Sequence, residues 1–232
     1  MTSTPVLIEC AIISWVEHIS TSGTGWWKAF ADTVPDGYLA LIEAEEEATE
    51  IVHFHPMFVP GLLQTEAYAS ALTESTSLKG VTHADVERLV RVRMLRQKTA
   101  FRAERPRRLT FVLDESCLHR PVGDPGVMCG QLEHLLELHG HPTVSLTVTP
   151  FGIGPHPGLL GPFLVLDYPD GADSVLCFEW QQGNTVVRGR PDLIQHYRTL
   201  VERLTQTDPT GSATEELLRS ALRRAAAPVG GS

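Results

Sequence analysis

The chain reads as an α/β (α+β) protein: a mixed sheet with one βαβ unit extended by antiparallel strands, covered by helices, with a helical N-terminal part. Three observations predict this. The apolar runs Leu109–Leu113 and Val144–Val148 flank a segment of helical period that opens at Asp124-Pro125 and closes at Gly140 and Pro142. Shorter β-rich runs at Phe163–Tyr168, Val175–Trp180 and Thr185–Arg188 follow, with Pro169-Asp170-Gly171 as a hairpin-turn signal. Before them, Tyr38, Leu41, Ile42, Glu45 and Ala48 recur at helical spacing.

The elements follow in order. Val6–Ile19 is apolar on nearly every side, and its period does not separate a buried helix from a buried strand. Pro35 and Asp36 begin the first amphipathic helix, with Glu43–Glu47 and Glu50 mostly on its wet face. Pro56 and Pro60 break regular structure, and Gly61 permits a tight bend. Thr65 is a plausible N-cap for a short helix through Leu72. Thr82 and Asp85 form a capping-box pattern for a helix reaching about Phe101, with Val86, Leu89, Val90 and Met94 on one side. Val127, Met128, Leu132, Leu135 and Leu136 point the next helix inward, and its flanking strands are expected to be parallel. A helix from Pro191 to Leu204 and another capped by Ser212 with Glu215 finish the chain, before a tail at Ala225–Ser232. The expected organisation is an extension at 1–35, a main domain at 36–205, and a C-terminal helix and tail at 206–232.

The 232 residues are 42% hydrophobic and 20% charged, which supports a folded core and argues against disorder. The net charge of −9 repels phosphate backbones, so direct nucleic-acid binding is not expected. Cys10, Cys117, Cys129 and Cys177 show no CxxC spacing, which fits reduced thiols in a cytoplasmic protein. The start of the chain lacks a basic n-region, and Val6–Ile19 is too short and too polar to span a bilayer.

One order of motifs stands out. His55-Pro56-Met57-Phe58-Val59-Pro60-Gly61-Leu62-Leu63-Gln64-Thr65-Glu66-Ala67-Tyr68-Ala69 is followed by Arg93…Arg96-Gln97, Asp114-Glu115…Leu118 and Gln131-Leu132…Leu135-Leu136. Then come Pro150…His156…Gly161-Pro162-Phe163 and Phe178-Glu179. Over roughly Trp26 to Leu204 this order resembles the WhiJ-like family of actinobacterial regulators. The resemblance implies an effector domain that binds a small ligand or a small partner protein, linked to secondary metabolism. In that family a helix-turn-helix precedes the domain. Only 37 residues precede Tyr38, against about sixty for such a module, and the Val6–Ile19 segment lacks a basic recognition helix. The DNA-reading half is therefore expected to be missing.

Several residues are candidates for chemistry. Glu115 follows one parallel strand, and the loop carrying Phe151 and His156 follows its neighbour. Both strand ends should open on one edge of the sheet, where ligands bind in open α/β folds. Glu115, His119 and His156 are thus expected to converge for acid–base work, unless Glu115 caps a helix and His156 stiffens a Gly/Pro loop. His53 and His55 would share one face of an extended segment, which suits two metal ligands but supplies no third; they equally suit a lining role. Nine of the nineteen Lys and Arg residues lie between Arg88 and Arg108. They read mainly as partners for the Glu43–Glu50 helix and as cations at a helix end, with Arg93 and Arg96 kept as pocket residues. Trp26, Trp27, Phe30, Phe58, Phe151 and Trp180 could line an apolar pocket or form core, with Phe163 and Glu179 added by the family motifs. Gln64 and Thr65 could orient a ligand or cap the helix that follows.

Two functions follow. The first is a stand-alone regulatory domain that binds a ligand or partner. The second is a cofactor-independent biosynthetic enzyme, a cyclase, isomerase or lyase, using Glu115 with a histidine in an apolar pocket. No cofactor or metal is expected in either, and a homodimer is compatible with both.

Overall fold

The fold is seen in a computed structural model that describes residues 25–77, 81–169, 172–180 and 183–227. The Val6–Ile19 segment, Cys10, the Asp170-Gly171 turn and the last five residues lie outside the described residues. A six-stranded mixed sheet forms the centre, in the order β3-β2-β1-β4-β5-β6. The strands are β1 (Glu50–His55), β2 (Arg108–Asp114), β3 (Val144–Thr149), β4 (Phe163–Asp167), β5 (Val175–Trp180) and β6 (Gly183–Val187). Six α-helices accompany them among the described residues: α1 (Asp36–Glu47), α2 (Glu66–Thr76), α3 (His83–Ala100), α4 (Pro125–His139), α5 (Pro191–Thr205) and α6 (Ser212–Ala226).

The predicted β2-α4-β3 unit is present, with its strands parallel. β1 is not among the strands expected from the sequence, and it joins the two halves of the sheet. It pairs parallel with β2 on one side and antiparallel with β4 on the other. A second parallel crossover, β1-α2-α3-β2, therefore precedes the predicted one. Four residues of β1, Ile51 to Phe54, are buried, so it shows no one-sided alternation. His53 also interrupts its apolar run.

Alternation along the strands divides the core in two. Ile51, Leu109, Phe111, Leu113, Leu146 and Val148 face the larger core, shared with α1, α2, α4 and α6. Val52, Phe54, Val112, Phe163 and Val165 face a smaller core closed by Ile194, Leu200, Val201 and Leu204 of α5. Trp26, Trp27 and Phe30 pack with Ile42 of α1 and Val92 and Leu95 of α3.

Helix starts follow the capping chemistry of the sequence. Thr65 accepts from the Tyr68 N–H, and Asp124 from the Val127 N–H. Thr82 and Asp85 form the full capping box. The start of α6 differs from expectation. Ser212 is its first residue and caps nothing there; the buried Asp208 instead accepts from the Ala213 and Thr214 N–H groups at 3.3 and 2.6 Å. The wet-face reading of α1 is corrected as well. Glu45 and Glu46 are 3% and 4% exposed, because arginines from α3 and the segment after it cover them.

Candidate functional site

The most distinctive sequence motif turns out to be a hydrogen-bond staple. Gln64 donates to the Val59 carbonyl at 2.7 Å and accepts from Arg93 at 2.7 Å. Gln97 donates to the carbonyls of Gly61 and Gln64 at 2.7 and 2.8 Å. Gln131 accepts from the Thr65 N–H and donates to the Leu63 carbonyl, at 2.7 and 2.8 Å. The buried Tyr68 hydroxyl accepts from the Val59 N–H, and burial raises its pKa to about 12. The segments that recur together in the sequence are thus one network holding the irregular 56–65 stretch against α3 and α4. A buried loop needs such partners because its backbone groups have no ladder.

A charged seam runs between α1, α3 and the sheet. Arg96 forks onto both Glu45 oxygens at 2.5 and 2.6 Å and reaches the Tyr38 hydroxyl at 3.3 Å. Burial works against its charge, but Glu45 holds the guanidinium well above the usual arginine pKa. Arg102 pairs with Glu46. Arg105 and Arg107 donate to the last carbonyls of α1, where the regular helical ladder ends. The basic run is therefore mostly a clamp on α1. Glu45 was legible as a carboxylate on the inward stripe of that helix, a position that demands a buried cation.

His53 and His55 do share one face, with ring centroids 6.1 Å apart. His53 is fully buried, and its Nε2 lies 2.8 Å from a Glu179 oxygen. Burial pushes the Glu179 carboxyl up, but His53, Arg96 and His55 outweigh it and hold it at about 2. The ionised carboxylate accepts, so His53 Nε2 carries the hydrogen. His55 Nδ1 accepts from the Met57 and Phe58 N–H groups at 3.2 and 3.0 Å. Burial lowers its pKa to about 4, with Glu179 opposing and His53 assisting. Among the described residues no group of three or more His, Cys, Asp or Glu is arranged to hold a metal ion.

The carboxyl ends of β1, β2 and β3 open on one edge, as their register requires. A cleft of about 350 Å³ lies there, lined by Pro56, Met57, Asp114, Ser116, Arg120, Pro150, Phe151, Gly154 and Leu159. Glu115 and His119 meet at this edge, with His119 Nε2 3.1 Å from Glu115 Oε1. The other Glu115 oxygen accepts from the Phe151 N–H at 2.8 Å. His119 Nε2 also lies 3.1 Å from Arg224 of α6; it can donate to Glu115 or accept from Arg224, not both. His156 does not join them. Its ring stands edge-on to Phe54, centroids 5.7 Å apart, on the side of the sheet that α5 covers. Gly158 permits this close approach, since a Cβ there would sit 2.8 Å from the Phe54 ring.

The remaining candidates divide. Trp26, Trp27 and Phe163 are core; Phe163 stacks on Phe54 at 5.5 Å and meets Tyr197 at 4.5 Å. Phe151 is 56% exposed at the mouth of the cleft. Gln64, Arg93 and Arg96 belong to the staple and the seam, while His55 and Glu179 flank the inner end of that seam. Thr149 and Arg120 were not singled out in the sequence, and Asp114 only as part of a family motif; the signal for Asp114 and Thr149 was position, since they terminate parallel strands.

The architecture is that of an α/β domain with a cleft at the carboxyl edge of its parallel strands. The chain belongs to the family described as a domain of unknown function, DUF5753, whose pattern matches residues 38–220. No curated protein and no solved structure matches the chain. Among the described residues no helix is long and apolar enough to cross a membrane, and Cys117, Cys129 and Cys177 are free thiols.

Proposed function

We propose that this is a ligand-binding regulatory domain of the WhiJ-like kind, acting in the cytoplasm in connection with secondary metabolism, and that its ligand is a small, largely apolar molecule held in the carboxyl-edge cleft. One observation carries the reading. Of six large hydrophobic side chains exposed among the described residues, five (Met57, Phe151, Ile153, Leu159 and Leu160) lie in the two loops that border this cleft. Apolar side chains concentrated at one exposed place mark a binding surface. The cleft volume falls in the range of small-molecule sites, and its edge is where α/β sheets bind ligands. The order of family motifs in the sequence supports the same class.

The enzymatic alternative has weaker support. Glu115 uses one oxygen on a backbone N–H and the other on His119, and His156 packs against Phe54 and does not meet Glu115. A Glu–His acid–base couple needs both groups at one substrate position.

Native mass spectrometry of freshly purified protein, before and after exposure to a cell extract, tests the proposal. A retained adduct of a few hundred daltons, lost in Phe151→Ala with Leu159→Ala, is expected. A chain that takes up no small molecule, or that captures a polypeptide instead, overturns it. So does turnover of an extract component that Glu115→Gln abolishes.

A further inference from the structure

Asp114 lines the cleft, and on its side of the sheet lie buried polar groups with no hydrogen-bond partner among the described residues. Asp114 closes β2, Thr149 closes β3, and the two are register partners across the ladder. By alternation both belong to the α5 side of the sheet, with Val112 and Thr147. Asp114 is 6% exposed and Thr149 is fully buried. Asp114 uses Oδ1 to accept from the Ser116 N–H at 2.9 Å. Thr149 Oγ1 and both ring nitrogens of His156 are enclosed and have no hydrogen-bond partner among the described residues. The His156 ring lies over this same side, against Phe54.

A side chain with no partner at either nitrogen needs an explanation. A buried polar group left unsatisfied is destabilising, so such groups mark a place for water or for a ligand. The ring packs edge-on to Phe54 and beside Gly158, contacts that use the hydrogen-bonding capacity of neither nitrogen.

We propose that Asp114, Thr149 and His156 form the head-group pocket of the cleft, and that it takes a primary ammonium group on a ligand whose apolar remainder lies against Met57, Phe151 and Leu159. The inference rests on the ligand-binding reading above and adds the chemistry of the head group. An ammonium offers three donors and no acceptor. The free Asp114 oxygen, the Thr149 hydroxyl and the bare nitrogen of a neutral imidazole offer three acceptors. Burial lowers the His156 pKa, with Asp114 opposing, so the ring stays neutral near pH 7 and does not repel a cation. Arg120 also lines the cleft and has the opposite preference, for a carboxylate. It is exposed, where water and salt weaken its field, whereas Asp114 acts from a drier site.

Calorimetric titration of the full chain with octylamine, octanol and octanoate at pH 7.5 tests the assignment. Octylamine is expected to bind at least tenfold more tightly than the other two. Asp114→Asn keeps an oxygen to cap the Ser116 N–H, and it should lose that preference. Saturation with octylamine, and not with octanol, should shift the imidazole nitrogen resonances of His156. If Asp114→Asn does not fold, Thr149→Val replaces it, with the same amine-specific loss expected. Equal binding of all three probes, tightest binding of octanoate, or an amine preference that survives in the variant overturns the head-group assignment while the cleft stands. No binding of any probe overturns the cleft reading as well.

Discussion

The seam between α3 and the sheet and the carboxyl edge of the sheet are both built from charged and polar side chains, but they differ in how those groups are partnered. In the seam each charged side chain meets an opposite charge or a helix carbonyl: Arg96 with Glu45, Arg102 with Glu46, Arg107 with the end of α1, His53 with Glu179. Single atoms there, such as His53 Nδ1 and Arg107 Nε, lack partners, but each belongs to a side chain that is otherwise bonded. At the edge an entire imidazole is unpartnered and large apolar side chains face water. Saturated polar groups hold a fold together; unsaturated ones beside exposed apolar surface are where a further molecule has something to gain.

Four measurements break or sharpen this contrast. The largest effect is expected in the seam. Arg96→Met leaves Glu45 buried without its cation and should cost about 3–5 kcal/mol in urea unfolding, with Arg96→Met plus Glu45→Leu recovering a good part of it. Equal losses in the single and double variants would mean the pair is not the source of the stability. In the staple, Gln131→Leu strands the Thr65 N–H and the Leu63 carbonyl and should cost about 2 kcal/mol by the same assay.

The third concerns pH. His55 titrates near 4 in the folded chain against an ordinary 6.5, so the unfolded chain binds more protons between these values. Its contribution is full above about pH 6.5 and is lost as pH falls towards 4. Glu179, held at about 2 against 4.5, contributes fully above about 4.5 and loses that contribution as pH falls towards 2. Stability should therefore fall in two stages on acidification. His55→Asn, which keeps an acceptor for the Met57 and Phe58 N–H groups, should remove the upper stage, and Glu179→Gln the lower. An unchanged acid profile in both variants would contradict the assignments. The smallest effect on stability is expected at the edge: Leu160→Ser should stay within about 0.5 kcal/mol of the parent, because that side chain is 85% exposed, while weakening ligand uptake.

The staple also shows how much of the site was legible. Gln64, Arg93, Arg96 and Gln97 stood out as residues of a shared motif order, and the structure brings them together. What they do there was not legible, because a glutamine tied to a carbonyl and a glutamine awaiting a ligand look alike in a sequence. Glu115 with His119 followed from strand ends and short spacing. The far placement of His156 did not, because the loop Pro150–Pro162 can fold over either side of the sheet, and only the fit of Gly158 onto Phe54 settles which.

By itself the sequence determined what depends on neighbours along the chain: the capping box at Thr82 and Asp85, the caps at Thr65 and Asp124, the apolar runs of β2 and β3, and the helix between them. These are short-range preferences that a residue expresses wherever it is placed. Tertiary structure alone decided that β1 lies between β2 and β4, that Glu46 turns inward, and that Asp208 rather than Ser212 holds the start of α6. Each of these depends on which distant group supplies the missing charge, ladder or hydrogen bond, and that is set by packing across the fold.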